Sequence, residues 1–243
     1  MPPTAAAPTP SAVPAVRREE QTPFATQLPA QKRLTRSPPS YRAKDDDTIE
    51  PFSRRRTLIA ENMLHSLGTS AHVASVAEID MLRVQRAKAQ DADKSPGKLT
   101  FMPYIVQALA QALAEHPRLN ASVDGDRLIL RKDRNIGVAV DTPDGLVVPV
   151  LHRADELNLF GIARRLQELS ERARQGKLRP DDVAEGSFTL SNTVRDGNLF
   201  GISIIRQPEV GILRIGSIVK RPVVREVEGE EVVVVGGEKK KEV

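Results

Sequence analysis

Side chains able to do covalent or acid–base chemistry are sparse in this chain. Its 243 residues include no cysteine and four histidines, His65, His72, His116 and His152, spread far apart. Without cysteine there is neither a thiol nucleophile nor a disulfide framework, so any thiol chemistry must be carried by a substrate or cofactor. The histidine spacing matches no metal-ligand pattern, and no metal site is expected. His65 lies beside Leu64 on an amphipathic stretch, His72 opens an apolar run, and His116 closes another just before Pro117. These three read as surface or capping residues. His152, in His152-Arg-Ala-Asp155, has a carboxylate three residues on that could orient its imidazole, but nothing around it suggests a cleft. A P-loop, a dinucleotide-binding glycine fingerprint and a GxSxG elbow are absent. Ser191 ends an apolar run ahead of a polar loop and reads locally as a strand-end hydroxyl. Thr100 reads locally as a helix N-cap and Asp141 as the first residue of a turn.

The elements that must position these groups follow from hydrophobic spacing. From Thr57 the residues Leu58, Ile59, Met63, Leu64 and Leu67 recur at helical spacing, and Gly68 marks a stop. His72 to Ile79 reads as an imperfectly alternating strand, and Met81 to about Ala92 as a polar helix. Phe101 to Glu115 is the strongest helix, with Ile105, Val106, Leu109 and Leu113 on one face and Pro117 just beyond its end. Asn135–Val140 and Leu146–Val150 read as strands joined by a turn over Thr142 to Gly145. Leu159 to Ala173 is an amphipathic helix with Ile162, Ala163, Leu166 and Leu169 inward. Strands are then expected over Ser187–Ser191, Glu209–Ile215, Val223–Val227 and Val232–Val235. Helices and strands mix without strict alternation, which favours a mixed sheet with helices packed on it.

Residues 1–51 are dominated in their first thirty by Ala, Pro, Thr, Ser and Val without periodicity, and read as a disordered Ala/Pro-rich linker. Residues 52–235 form the expected folded domain, and 236–243 a charged tail. No apolar run reaches bilayer length and no secretory signal is evident, so no membrane partner is expected. A cytoplasmic location is expected, or the mitochondrial matrix in a eukaryote. The net charge of +4 is concentrated in Arg54-Arg55-Arg56 and Lys239-Lys240-Lys241. With 3% aromatic residues and no Trp there is little to stack on bases, so no nucleic-acid partner is expected.

A set of longer signatures runs in order along the chain. Arg56-x-x-Ile-Ala-x-x-Met63 leads to Glu78-Ile-Asp80, and Lys98-Leu-Thr-Phe-Met-Pro103 to Pro117-x-Leu-Asn-Ala-Ser122. Asn135-Ile-Gly-Val-Ala-Val-Asp141, Gly145-Leu-Val-Val-Pro149 and Ala173-Arg-x-Gly-Lys-Leu178 follow. Phe188-Thr-Leu-Ser-Asn192, Gln207-Pro-Glu-Val-Gly-Ile212 and Gly216-Ser-Ile218 close the series. Each is weak alone. Together they resemble the catalytic domain of the dihydrolipoamide acyltransferase component of the 2-oxoacid dehydrogenase complexes, over about Phe52 to Val235.

That resemblance implies a two-layer α/β fold like chloramphenicol acetyltransferase, assembled into trimers or larger cores with active sites between subunits. It implies acyl transfer between a dihydrolipoyl thiol, carried on another domain or chain, and coenzyme A. Other components of such a complex would be its partners. By the same resemblance Ser191 donates a hydrogen bond to the tetrahedral oxyanion, and Thr100, Asp141 and Asn192 contact coenzyme A. The family's general base is the histidine of a C-terminal Asp-His-Arg-x-x-Asp-Gly signature, which is not found in these residues. The expected domain is therefore incomplete at its C-terminal end. A frameshifted or shortened gene, an incomplete piece of a longer protein, and a non-catalytic pseudoenzyme or assembly subunit are the readings that follow. A lipoyl-domain Asp-Lys signature and a subunit-binding domain are likewise not found.

Overall fold

The computed structural model describes residues 41–95, 99–143, 145–192, 198–227 and 230–235. Residues 1–40 of the expected 1–51 linker, residues 228–229 and the expected tail over 236–243 lie outside the described residues. The chain divides into two units, Met1–Ile49 and Glu50–Val243. In the first, residues 41–49 are exposed irregular chain with one local turn, in which the Asp47 carboxylate accepts from the Tyr41 hydroxyl (3.0 Å) and the Lys44 amide (2.7 Å).

The second unit holds four helices, α1 (Arg54–Thr69), α2 (Leu82–Asp91), α3 (Met102–Glu115) and α4 (Leu159–Arg174). Strands β1 (Ala121–Asp124) and β2 (Arg127–Leu130) precede β3 (Ile136–Val138), β4 (Val140–Thr142), β5 (Gly145–Val147) and β6 (Val150–Leu151). Then come β7 (Phe188–Asn192), β8 (Ile212–Ile215), β9 (Pro222–Val227) and β10 (Glu230–Val235). A four-stranded sheet in the order β6-β3-β7-β8 carries the site. β3 pairs antiparallel with β6 and parallel with β7, and β7 pairs parallel with β8. Such a mixed sheet is what the irregular alternation of elements predicts.

Helices α3 and α4 cover one face of this sheet. Val106, Ala110 and Leu113 of α3 meet Ile162, Leu166 and Leu169 of α4 and the sheet residues Ile136, Val138, Leu151, Phe188 and Leu190, all buried. Each fully buried Leu, Ile or Val stabilises the fold by roughly 1.5–3 kcal/mol. Sequence signals start and stop both helices. Pro103 stands in the first turn of α3, and the His116 amide returns to the Ala112 carbonyl (2.8 Å) ahead of Pro117. The Asn158 side chain caps α4 by accepting from the Gly161 amide at 2.8 Å, and Arg172 and Arg174 oppose the dipole at its far end. Replacing Asn158 by Ala is expected to cost about 1 kcal/mol in urea unfolding. No change in the midpoint would show the cap to be energetically idle.

The β1–β2 hairpin closes through the two residues Gly125 and Asp126, and Gly125 adopts φ +62, which a side chain would resist. Two sequence expectations are corrected in part. The strand over Asn135–Val140 is split at Ala139 into β3 and β4, which join different sheets, and Leu146–Val150 is divided between β5 and β6. The run Glu209–Ile215 is a strand only from Ile212, because Glu209 is turned inward as a buried carboxyl.

The larger correction concerns His72–Ile79, which is not a strand. Both imidazole nitrogens of His72 engage backbone: Nδ1 lies 2.9 Å from the Ser70 carbonyl, and Nε2 accepts from the Ile205 amide at 3.1 Å. Val73 and Ile79 remain 93% and 77% exposed, because no sheet edge among the described residues runs alongside to pair with them. The apolar side chains of α1 are not covered either. Leu58, Leu64 and Leu67 are exposed, and α1 is anchored through polar groups instead. Buried Ser66 donates to the Ile205 carbonyl, and Gln207 donates to the hydroxyls of Ser66 (3.1 Å) and Ser70 (2.6 Å). Among the described residues no helix is long and apolar enough to cross a membrane.

Candidate functional site

Strand β7 runs through the middle of the four-stranded sheet, and its side chains alternate between two environments. Phe188 and Leu190 point into the helix-covered core. Asn192, next on that face, sits beside Ile215 of β8. Thr189 and Ser191 take the opposite face.

On the helix side, Thr100, Phe101, Met102, Ile105, Asn192, Ile215 and Ile218 line a pocket of ≈ 140 Å³. It lies where the start of α3 approaches the end of β7. The N-terminus of α3 is held by the Tyr104 hydroxyl, which donates to Asp91 at the end of α2 (3.1 Å). Partial burial and that bond push the Tyr104 phenol up to about 12, so it remains a donor. The bond from Lys94, then that from Tyr104, holds the Asp91 carboxyl below its ordinary value. Thr100 is not the N-cap that its local sequence suggests, because Phe101 takes that position; its hydroxyl instead accepts from the Met102 amide at 3.3 Å, one residue outside the cap. The pocket is an apolar slot with Thr100 and Asn192 as its polar groups. That chemistry fits part of a thin, amide-bearing thiol arm such as that of coenzyme A, while its volume is too small for a whole cofactor of that size.

On the opposite face, the Ser191 hydroxyl is half-buried and has no hydrogen-bond partner among the described residues. Two residues earlier, Thr189 donates to the Glu209 carboxylate at 2.6 Å. Burial pushes the Glu209 carboxyl up to about 7, against the pull of the Thr189 bond and of the Arg206 and Arg131 guanidiniums. Its Oε1 has no hydrogen-bond partner and lies 3.9 Å from Arg206 Nη1. The space for this pair exists because residue 186 is glycine: a Cβ there would lie 2.9 Å from Glu209 Oε1 and 3.1 Å from Arg206 Nη1. Glu209 appears in the sequence only as part of a motif and of an expected strand, and a carboxylate ahead of an apolar run is the one signal of its role.

The structure thus brings together Thr100 and Asn192, and sets Ser191 beside them on the other face of the same strand. Asp141 is not part of the pocket lining. It is exposed on β4, opposite Leu146 in the β4–β5 hairpin. No histidine lines the pocket. His65 and His116 are exposed. His152 Nε2 lies 3.0 Å from the Asp181 carbonyl, whereas Asp155 pairs with Arg134 at 2.7 Å, so the sequence-adjacent His–Asp pair does not form. Among the described residues no cluster of three or more His, Asp or Glu could hold a metal ion.

Residues 44–236 match the family described as 2-oxoacid dehydrogenases acyltransferase (catalytic domain). The chain belongs to this acyltransferase family. It is 39% identical over 217 residues to the lipoamide acyltransferase component of the branched-chain alpha-keto acid dehydrogenase complex of Bacillus subtilis, covering 85% of this chain and 51% of that protein. It is 35% identical over 211 residues to the dihydrolipoyllysine-residue acetyltransferase component of the pyruvate dehydrogenase complex of Corynebacterium glutamicum, covering 84% of this chain and 31% of that one. The chain therefore spans from 31% to 51% of the length of these relatives. The solved dihydrolipoamide acetyltransferase of Azotobacter vinelandii, studied for the roles of a serine, a histidine and an asparagine in its catalytic mechanism, superposes with a TM-score of 0.74 at 30% identity. The match covers 81% of this chain and 84% of that one. The helix-backed mixed sheet is accordingly the chloramphenicol acetyltransferase-like fold of these acyltransferase cores.

Proposed function

We propose that this chain is an acyltransferase moving an acyl group between a dihydrolipoyl thiol and coenzyme A, as a core subunit of a 2-oxoacid dehydrogenase complex. The observation that carries the reading is the pairing on one central strand of Ser191, with its half-buried hydroxyl, and Asn192, which closes the slot opposite Thr100. In the reaction a thiolate attacks a thioester carbon, and negative charge develops on the carbonyl oxygen. A serine hydroxyl already fixed on a strand stabilises that charge with little reorganisation. Thr100 and Asn192 hold the thiol-bearing arm of coenzyme A, and Asp141 meets a part of the molecule outside the slot. No histidine lines the slot, so none of its lining side chains is placed to take the thiol proton.

Assembly into trimers or larger cores is supported by the apolar side chains left uncovered on α1 and along residues 73–79. Leu58, Leu64, Leu67, Val73, Val76 and Ile79 all remain exposed, the kind of apolar surface that subunit contacts bury. Burying it between subunits would also give the 73–79 segment the backbone partners it lacks within the described chain.

Titration calorimetry with coenzyme A tests the binding half of this reading. The chain is expected to bind it, and Asn192→Ala and Thr100→Ala are each expected to weaken binding about 3- to 10-fold, the worth of one hydrogen bond. Absence of coenzyme A binding by the folded chain would overturn the proposal.

A further inference from the structure

Ser191 has a neighbour that the acyl-transfer reading does not use. In the parallel pairing of β7 with β8, Ser191 is the register partner of Arg214. Register partners project from the same face, about 4.8 Å apart in the hydrogen-bonding direction. The flanking pair, Asn192 and Ile215, turns to the pocket side, which places Ser191 and Arg214 together on the other face. An arginine on this strand thus lies alongside the hydroxyl assigned to the reacting carbonyl.

The Arg214 side chain is fixed but short of partners. A Cβ at residue 201 would lie 2.7–2.9 Å from its Cζ, Nη1 and Nη2, so it packs over the chain at Gly201 and depends on glycine there. With the Asn198 amide turned so that both its polar atoms are satisfied, Nη2 donates to the Asn198 side-chain oxygen at 2.9 Å. Its Nε is buried and has no hydrogen-bond partner, and no carboxylate among the described residues pairs with it. A half-buried guanidinium, permanently charged and with no carboxylate partner among the described residues, is suited to a planar anion. Buried orphan donors are rare in folded proteins and commonly mark the place of a missing partner.

We propose that Arg214 is a specificity-determining residue that selects an acyl group ending in a carboxylate, such as a succinyl group, over an uncharged one. The proposal rests on the acyl-transfer reading, since it places the acyl carbonyl at Ser191 and the far end of the acyl chain toward the neighbouring strand. The proposal requires the carboxylate of a short dicarboxylic acyl chain to meet the guanidinium where it packs over Gly201, while the thioester stays at Ser191. An acetyl or branched-chain group offers Arg214 nothing to pair with and leaves the charge desolvated without compensation.

Calorimetric titration of the full chain with coenzyme A, acetyl-CoA and succinyl-CoA separates the possibilities. The unsubstituted chain is expected to bind succinyl-CoA about tenfold or more tightly than acetyl-CoA, the size of one charge-assisted hydrogen bond. Arg214→Met should abolish that ratio without changing the affinity for coenzyme A, and Arg214→Lys should keep part of it; circular dichroism checks that both variants fold. Equal affinities for the two thioesters in the unsubstituted chain, or an unchanged ratio in Arg214→Met, would overturn the proposal while coenzyme A binding keeps the acyl-transfer reading intact. Equal weakening of all three ligands in Arg214→Met would also overturn it, pointing to the phosphates instead. Failure to bind coenzyme A at all would remove the acyl-transfer reading and this inference together, a result distinguished by the coenzyme A titration.

Discussion

Replacing Ser191 by alanine is expected to lower the rate of acetyl transfer from acetyl-CoA to dihydrolipoamide by two to three orders of magnitude, with coenzyme A affinity changed less than about twofold. Removing one fixed donor from an oxyanion site typically costs about 10²–10³ in kcat, or roughly 3–4 kcal/mol of transition-state stabilisation. The hydroxyl faces away from the Thr100–Asn192 slot, so ground-state binding should not register its loss. The two rates are compared at the turnover the unsubstituted chain sustains, alone or mixed with a full-length dihydrolipoamide acyltransferase that can supply a histidine base. A ratio near one in every mixture that turns over would remove Ser191 from the mechanism. A large loss confined to coenzyme A binding would assign it to the slot instead.

The second large effect lies close by, at the buried carboxyl that Thr189 of the same strand holds. Glu209, held by Thr189 and pushed by burial from 4.5 up to about 7, should make stability fall as pH rises. Below about pH 4.5 the carboxyl is protonated in both the folded and the unfolded chain, and it contributes no pH dependence. Between about 4.5 and 7 the unfolded chain releases the proton while the folded chain keeps it, so folding is progressively disfavoured. Above about 7 the full cost applies, about 3 kcal/mol by proton linkage. Arg206 and Arg131 oppose the effect from their side of the carboxyl, and their pull is already contained in that net rise. Urea unfolding of the unsubstituted chain and of Glu209→Gln at pH 5 and pH 8 measures it. The variant keeps an acceptor for Thr189 and should be more stable than the parent at pH 8, the two converging toward pH 5. An identical pH response in both proteins would show that Glu209 is not the titrating group.

Local order in the sequence reports some of this architecture directly. Helices α3 and α4 are legible because their buried residues recur at helical spacing and because Pro103, Pro117 and Asn158 mark their ends. The β9–β10 hairpin is legible from two valine-rich runs separated by a glycine-containing turn. The family is legible because short motifs fall in a fixed order, and two of the expected coenzyme A contacts, Thr100 and Asn192, do meet across one pocket.

What stayed hidden depends on contacts between distant segments. His72–Ile79 has the composition of a strand, but a strand exists only with a partner, and none of the described residues provides an edge beside it. The apolar spacing of α1 predicts the helix correctly and leaves open what covers its apolar side chains, since spacing reports which residues share a face and not what lies against it. Asp141, expected with Thr100 and Asn192 to contact coenzyme A, stands on the β4–β5 hairpin outside the pocket lining. The pairing of Arg214 with Ser191 and the orphaned oxygen of Glu209 arise from the register of β7 against β8 and from the missing side chain at Gly186. The sequence by itself thus determined the family and the main helices, and it named Ser191 as a candidate. Tertiary structure alone decided which charges lie beside that serine, because register and burial are set by segments far apart along the chain.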